Sequence, residues 1–218
     1  FLIGNEHVAL VTDTAIRESE FFARYGEDTC SLYVSIPFCP TRCAYCSFVS
    51  YATPRLLSMI PDYLERLKAD IAETVRIIKE KGQRIVTVYI GGGTPFALDA
   101  PDLERVLKGV DGIYKSLAPT AEYTVEAGRP DVFTDEKLAL LKDYGVTRIC
   151  INPQTFSDET LQKIGRRHTV ADVYRAFETS KKYGFIINVD LIAGLTGEDF
   201  ESFRNSFNIG YSLKAHML

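Results

Sequence analysis

From residue 31 onward, apolar runs of strand length alternate with helical patterns, and this alternation constrains the fold more than any other feature of the chain. It is the signature of repeated βα units and a parallel sheet. Five strands can be placed, at 32–36, 85–90, 123–126, 148–151 and 185–190. The second, Ile85-Val-Thr-Val-Tyr-Ile90, has the β-branched and aromatic content of a strand covered on both faces. Between the first two, Leu64, Leu67, Ile71, Val75 and Ile78 recur at helical spacing, with Pro61 near the start where its missing N–H costs nothing. Leu103, Val106, Leu107, Val110, Ile113, Tyr114 and Leu117 repeat that pattern, and Leu138 with Leu141 mark a shorter helix. Gly82, Gly145 and Gly184 each stand between a helical pattern and the next strand, where a left-handed residue ends a helix. Thr169 with Asp172 forms a capping box for a helix carrying Val173, Ala176 and Phe177. Parallel strands with right-handed crossovers make an open sheet or a barrel, and periodicity alone does not separate the two.

With 218 residues and 46% apolar content, the chain can bury one good core. Residues 1–30 read as a leading segment whose charged stretch, Arg17 to Arg24, is a solvated helix face; residues 31–218 are the core domain. A net charge of −4 supplies no basic field for nucleic acid or an anionic membrane surface. No apolar run approaches a membrane span, and the opening residues have neither the basic flank nor the length of a signal peptide. A cytoplasmic protein is expected. The chain begins without Met and stops just after a helical stretch with no cap signal, so it reads as a fragment.

Each strand runs into polar chemistry at its C-terminal end: Cys39 after the first, Gly91 to Thr94 after the second, Glu126 and Arg129 after the third, Asn152 and Gln154 after the fourth, and Asp190 closing the fifth. In α/β barrels and open parallel sheets, that face binds ligands. Strand ends are often polar, but a Glu and an Asp within otherwise apolar strands are poorly explained that way.

The densest signal is Cys39, Cys43 and Cys46, a C-x₃-C-x₂-C set on the loop leaving the first strand. Five cysteines in a reducing setting argue against a disulfide framework and for ligation. Ferredoxins use four cysteines per [4Fe–4S] cluster, so three would leave one iron open to an exogenous ligand. A zinc site is the competing reading, with its fourth ligand drawn from Cys30, Cys150 or one of three histidines; accidental clustering is another. Cys150, within an apolar strand, reads as a packed thiol, and Cys30 likewise. Gly91-Gly-Gly-Thr-Pro95 ends the second strand and would let a ligand meet backbone groups directly. It matches neither a Walker loop nor a dinucleotide fingerprint.

Over residues 31 to 200 the chain resembles the radical S-adenosylmethionine (SAM) superfamily. Within it, the chain is most similar to the oxygen-independent coproporphyrinogen III oxidase group with its dehydrogenase-like side branch and related heme chaperones. The residues that carry this are Tyr33-Val-Ser-Ile-Pro-Phe-Cys39, Cys43-Ala-Tyr-Cys46, Gly91-Gly-Gly-Thr-Pro95, Val125-Glu-Ala-Gly-Arg-Pro130, Ile151-Asn-Pro-Gln-Thr155, Gly165-Arg-Arg-His168 and Asp190-Leu-Ile-Ala-Gly-Leu195. The resemblance implies an α/β fold, a partial (β/α)6-type TIM-like barrel with its last strand missing after Leu218. It implies that Cys39, Cys43 and Cys46 ligate a [4Fe–4S] cluster whose fourth iron is chelated by SAM. Tyr33 and Tyr45 would lie beside SAM, Gly92, Gly93 and Thr94 would meet its methionyl part, and Glu126 would bind its amine or ribose. Gln154, Arg166 and Asp190 would complete the nucleoside site or hold a second SAM. The implied activity is that of a radical SAM oxidoreductase of heme (porphyrin) biosynthesis: an electron donor reduces the cluster, SAM is split to a 5′-deoxyadenosyl radical, and propionates of coproporphyrinogen III are decarboxylated to vinyl groups. Such a substrate favours cationic anchors, with Arg42, Arg129, Arg148, Arg166 and Arg167 as candidates by position. Two departures point to the side branch and the chaperones: Ser35 stands where the group usually has His, and Ser47-Phe48 stands where authentic oxidases carry another Cys. A heme-binding chaperone without decarboxylase activity is the alternative.

Overall fold

The computed structural model describes residues 4–114 and 122–218. Its centre is a sheet of β1 (Thr29–Ile36), β2 (Arg84–Gly92), β3 (Glu122–Gly128), β4 (Arg148–Gln154) and β5 (Ile186–Leu191). Each strand pairs in parallel with its predecessor, in the order β1-β2-β3-β4-β5. A sheet wound in one direction is the arc of an α/β barrel, whereas a doubly wound sheet reverses at a switch point. Strand order thus settles what periodicity left open. The sheet has five strands among the described residues, and beside β5 there is one isolated bridge. Met217 bridges Asn188 in parallel, and the Val189 N–H donates to the Met217 carbonyl at 3.0 Å.

The helices are α1 (Asn5–Tyr25), α2 (Pro54–Leu57), α3 (Ile60–Glu80), α4 (Ala100–Tyr114), α5 (Asp135–Asp143), α6 (Asp158–Lys163), α7 (Val170–Lys181) and α8 (Phe200–Ser212). The crossovers expected from apolar spacing are α3, α4 and α5; Leu117, assigned to the second of these, lies outside the described residues. Pro61 falls in the first turn of α3, Thr169 and Asp172 form the capping box of α7, and the three helix-stopping glycines have φ of 65°, 77° and 68°. The helix α1 buries none of its residues. Among the described residues, no helix is long and apolar enough to cross a membrane.

Alternation along β1 shows where the core lies. Leu32, Val34 and Ile36 are buried towards the helices, whereas Ser31, Tyr33 and Ser35 are exposed on the other face. Thr87 and Tyr89 of β2 are half-buried, so the expected covering of both faces is corrected: helices cover one face, and the other lines the hollow of the arc. On the helix side, Val88, Ile90, Val125 and Ile149 pack in one cluster with Ile71, Leu103, Leu107, Val110, Leu138, Leu141 and Phe177. Full burial of each such side chain contributes roughly 1.5–3 kcal/mol, which makes a rigid platform for the loops at the strand ends.

Candidate functional site

A cavity of about 550 Å³ opens at the C-terminal ends of the strands. All twelve residues singled out from the sequence line it: Cys39, Cys43, Cys46, Tyr33, Tyr45, Gly92, Gly93, Thr94, Glu126, Gln154, Arg166 and Asp190. Each of the five strands or the loop following it contributes.

The cysteine loop is tied at both ends. Phe38 is buried and meets Tyr51 and Tyr63 edge-on, the Cys39 N–H donates to the Tyr51 carbonyl at 3.0 Å, and the Tyr51 N–H donates to the Pro37 carbonyl at 2.7 Å. Across the arc, the Ala44 N–H donates to the Ile164 carbonyl at 3.0 Å and the Thr41 hydroxyl to the Gly165 carbonyl at 2.8 Å. Cys39 and Cys43 are buried and Cys46 is half-buried. Burial pushes the Cys39 thiol up, while Thr94, at 3.5 Å from its sulfur, and Arg129 pull the other way.

The glycine run has a reason beyond ligand access. A Cβ on Gly93 would stand 2.7 Å from the Phe38 carbonyl and 3.0 Å from the Cys39 sulfur; one on Gly92 would stand 2.7 Å from the Ser35 hydroxyl. Gly91 has no room either, with Glu126 Oε2 at 2.9 Å. The end of β2 therefore packs flush against the cysteine loop, strapped by Gly93 N–H to the Ile36 carbonyl and Thr94 N–H to the Phe38 carbonyl, both 2.8 Å.

Glu126 is held by the Asn152 amide, which donates to it at 2.8 Å. Burial raises its pKa, the Asn152 bond lowers it, and Asp190 raises it further. Tyr33 is exposed and stacks on Tyr89, ring centroids 5.8 Å apart. Gln154 takes a φ of 69°, rare for a residue with a side chain, where the β4–β5 register shifts. Arg166 is buried and donates to the Asn152 carbonyl at 2.6 Å and to the Tyr45 hydroxyl at 2.9 Å. Burial pushes the Tyr45 hydroxyl up to about 12 against the pull of Arg166.

Three of the five arginines named as substrate anchors are already committed. Arg129 donates to Thr41 and Cys43, Arg148 pairs with Glu122 at 3.2 Å, and Arg166 is engaged as above; Arg42 and Arg167 remain exposed. Sequence reasoning did not single out Tyr89, Thr41, Ser50 or Phe48, which also line the cavity. Tyr89 was findable, because strand alternation puts it on the face opposite Val88 and Ile90. Cys150 is a packed thiol near the Tyr89 hydroxyl and Cys30 packs against the core, so neither stands beside the triplet in the cavity.

The donors fit an iron–sulfur cluster and a polar cofactor. Among the described residues, no three His, Cys, Asp or Glu side chains gather closely enough for a single metal ion, which takes support from the zinc reading. Thiolates around a cubane each take a different iron and need not meet at one point. Ser50 Oγ, Asn152 Oδ1 and Arg166 Nε belong to cavity-lining residues and are buried without a partner in the chain, as expected of groups awaiting a polar ligand. The volume suits a nucleoside-sized molecule.

A one-way parallel arc with three loop cysteines and polar groups on its strand ends defines a class, and residues 33–209 match it: the chain belongs to the radical SAM superfamily, whose cofactors are a [4Fe–4S] cluster and SAM. Within that superfamily it stands in the group around HemN. It is 40% identical over 211 residues to the oxygen-independent coproporphyrinogen-III oxidase-like protein HemZ of Bacillus subtilis (strain 168), spanning 95% of this chain and 42% of that protein. It is 37% identical over 186 residues to the heme chaperone HemW of the same organism, spanning 85% of this chain and 48% of that protein. The radical SAM coproporphyrinogen III oxidase HemN from Escherichia coli is similar in structure, with a TM-score of 0.75 and 26% identity over 85% of this chain and 42% of that one. The chain thus spans under half the length of these relatives.

Proposed function

We propose that the cavity binds a [4Fe–4S] cluster through Cys39, Cys43 and Cys46 with SAM beside it, and that the whole protein uses the pair on a tetrapyrrole, decarboxylating the propionates of coproporphyrinogen III. The observation that carries this is the convergence of all twelve expected residues on one cavity. The cofactor pair, when bound there, would supply one-electron reduction of a sulfonium and hydrogen-abstracting chemistry. The chain's own residues do the holding. Gly92, Gly93 and Thr94 present backbone and hydroxyl to the methionyl part, and Glu126 accepts from the amine or ribose. Gln154, Arg166 and Asp190 bind the nucleoside or a second SAM. Tyr33 and Tyr45 wall the site.

One observation favours a second reading, heme binding without decarboxylation. Arg129, Arg148 and Arg166 are committed to protein partners, so a substrate with four carboxylates finds few free cations on this part of the barrel. The similarity to HemW points the same way. The test is to supply the full-length protein, loaded anaerobically, with coproporphyrinogen III, SAM and a reductant. 5′-Deoxyadenosine together with a vinyl product supports decarboxylation. Neither product, with tight heme binding, supports the second reading, and substoichiometric iron with bound zinc would sink the cluster reading.

A further inference from the structure

Arg129 follows Gly128, whose φ of 73° turns the chain out of β3 where the β3–β4 register shifts. Its side chain runs beneath the cysteine loop and is 2% exposed. Among the described residues, the hydrogen bonds of its guanidinium all go to that loop: Nη1 donates to the Thr41 hydroxyl, and Nη2 to the Thr41 carbonyl at 2.7 Å and to the Cys43 sulfur at 2.9 Å. Among the described residues no carboxylate pairs with it. A buried cation needs compensating partners, and the Cys43 sulfur stands within hydrogen-bond reach of the guanidinium, where a cluster-ligating thiolate would supply the counter-charge.

We propose that Arg129 is a positioning residue for the iron–sulfur cluster, fixing the cysteine loop against the end of β3 and raising the cluster's reduction potential through an N–H···S hydrogen bond to Cys43. This rests on the cluster reading above. An added electron increases the negative charge on the cluster sulfurs, so a cation donating to one of them stabilises the reduced state more than the oxidised state. The planar fork is what lets one side chain hold Thr41 and Cys43 together. A lysine ammonium can supply the charge but not that geometry.

The experiment uses full-length protein labelled with ¹⁵N-arginine, reconstituted anaerobically with iron and sulfide counted, then reduced by one electron. Pulsed EPR should show a weak ¹⁵N coupling to the cluster that disappears in Arg129→Lys. In redox titration, the midpoint of Arg129→Gln should move to more negative potential, with Arg129→Lys between it and wild type. A loaded wild-type cluster without arginine coupling, or Arg129→Gln with the wild-type midpoint, overturns the proposal. Should the variants not fold, the labelled wild type decides alone. Failure of wild type to take up iron would instead defeat the cluster reading, and this role with it.

Discussion

Gly93→Ala adds one methyl group at the tightest point of the site. Its φ lies outside the left-handed region, so backbone preference adds nothing and the cost is purely steric. The new Cβ would meet the Phe38 carbonyl at 2.7 Å, the Cys39 sulfur at 3.0 Å and the Ile36 carbonyl at 3.0 Å. None of these is the free end of a flexible side chain. Relief must come from parting the end of β2 from the cysteine loop, against the two 2.8 Å strap bonds. Overpacking of this kind costs about 1–3 kcal/mol, and rigid neighbours place it in the upper half of that range. With a urea dependence of about 2–3 kcal/mol per molar, the unfolding midpoint of the cluster-free protein should fall by roughly 1 M, and iron retention should fall with it. Gly112→Ala is the control of opposite sign, because nothing lies within 4 Å of its Cβ and it sits in α4. There alanine should stabilise by about 1 kcal/mol. A Gly93→Ala protein with wild-type urea midpoint and full iron would refute the steric account of the glycine run.

Cys43→Ala should abolish cluster retention, whereas Cys150→Ser, on a thiol packed within β4 beside Tyr89, should leave the iron count nearly intact; equal loss in both would mean the ligands are misassigned. Burial first, then Arg166 and Arg129, hold His168 down at about 4, so it stays neutral in the fold while the unfolded chain takes up a proton near 6.5. The stability this contributes is complete above about pH 6.5 and is lost as pH falls towards 4, about 3 kcal/mol in all. His168→Gln should flatten that limb in urea melts at stepped pH, and an unchanged profile would exclude His168 as its source. Gln154→Gly relieves a left-handed backbone that costs about 1–2 kcal/mol, so the variant should be no less stable while SAM affinity by calorimetry drops about tenfold or more. Affinity equal to wild type would remove Gln154 from the site.

Strand and helix positions were legible because they follow from local patterns: the 3.6-residue spacing of Leu64 to Ile78, the glycine stops and the Thr169 box all act within a few residues. β4 reaches Gln154 rather than the expected Ile151, because Asn152 and Gln154 are polar yet buried, and a polar residue at a strand end does not announce burial in the sequence. That the motif residues would line one cavity was legible from the motifs. Two things were not. The commitment of Arg129 and Arg166 depends on partners on the cysteine loop, and the left-handed Gln154 has no local signature, since glutamine is not a residue that seeks that region.

The bond from Thr41 to the Gly165 carbonyl joins residues 124 apart in sequence, and Arg166 reaches Tyr45 across 121. During synthesis, at about 5–20 residues per second, the cysteine loop would leave the ribosome about 6–25 s before the wall that buries it exists. For that interval the thiols of Cys39 and Cys43 lack the burial that the finished arc gives them and are more open to oxidants. Growth under oxygen should therefore damage the nascent protein in proportion to translation time, and slowing elongation between codons 46 and 165 should lower the yield of loadable protein even when the final sequence is unchanged.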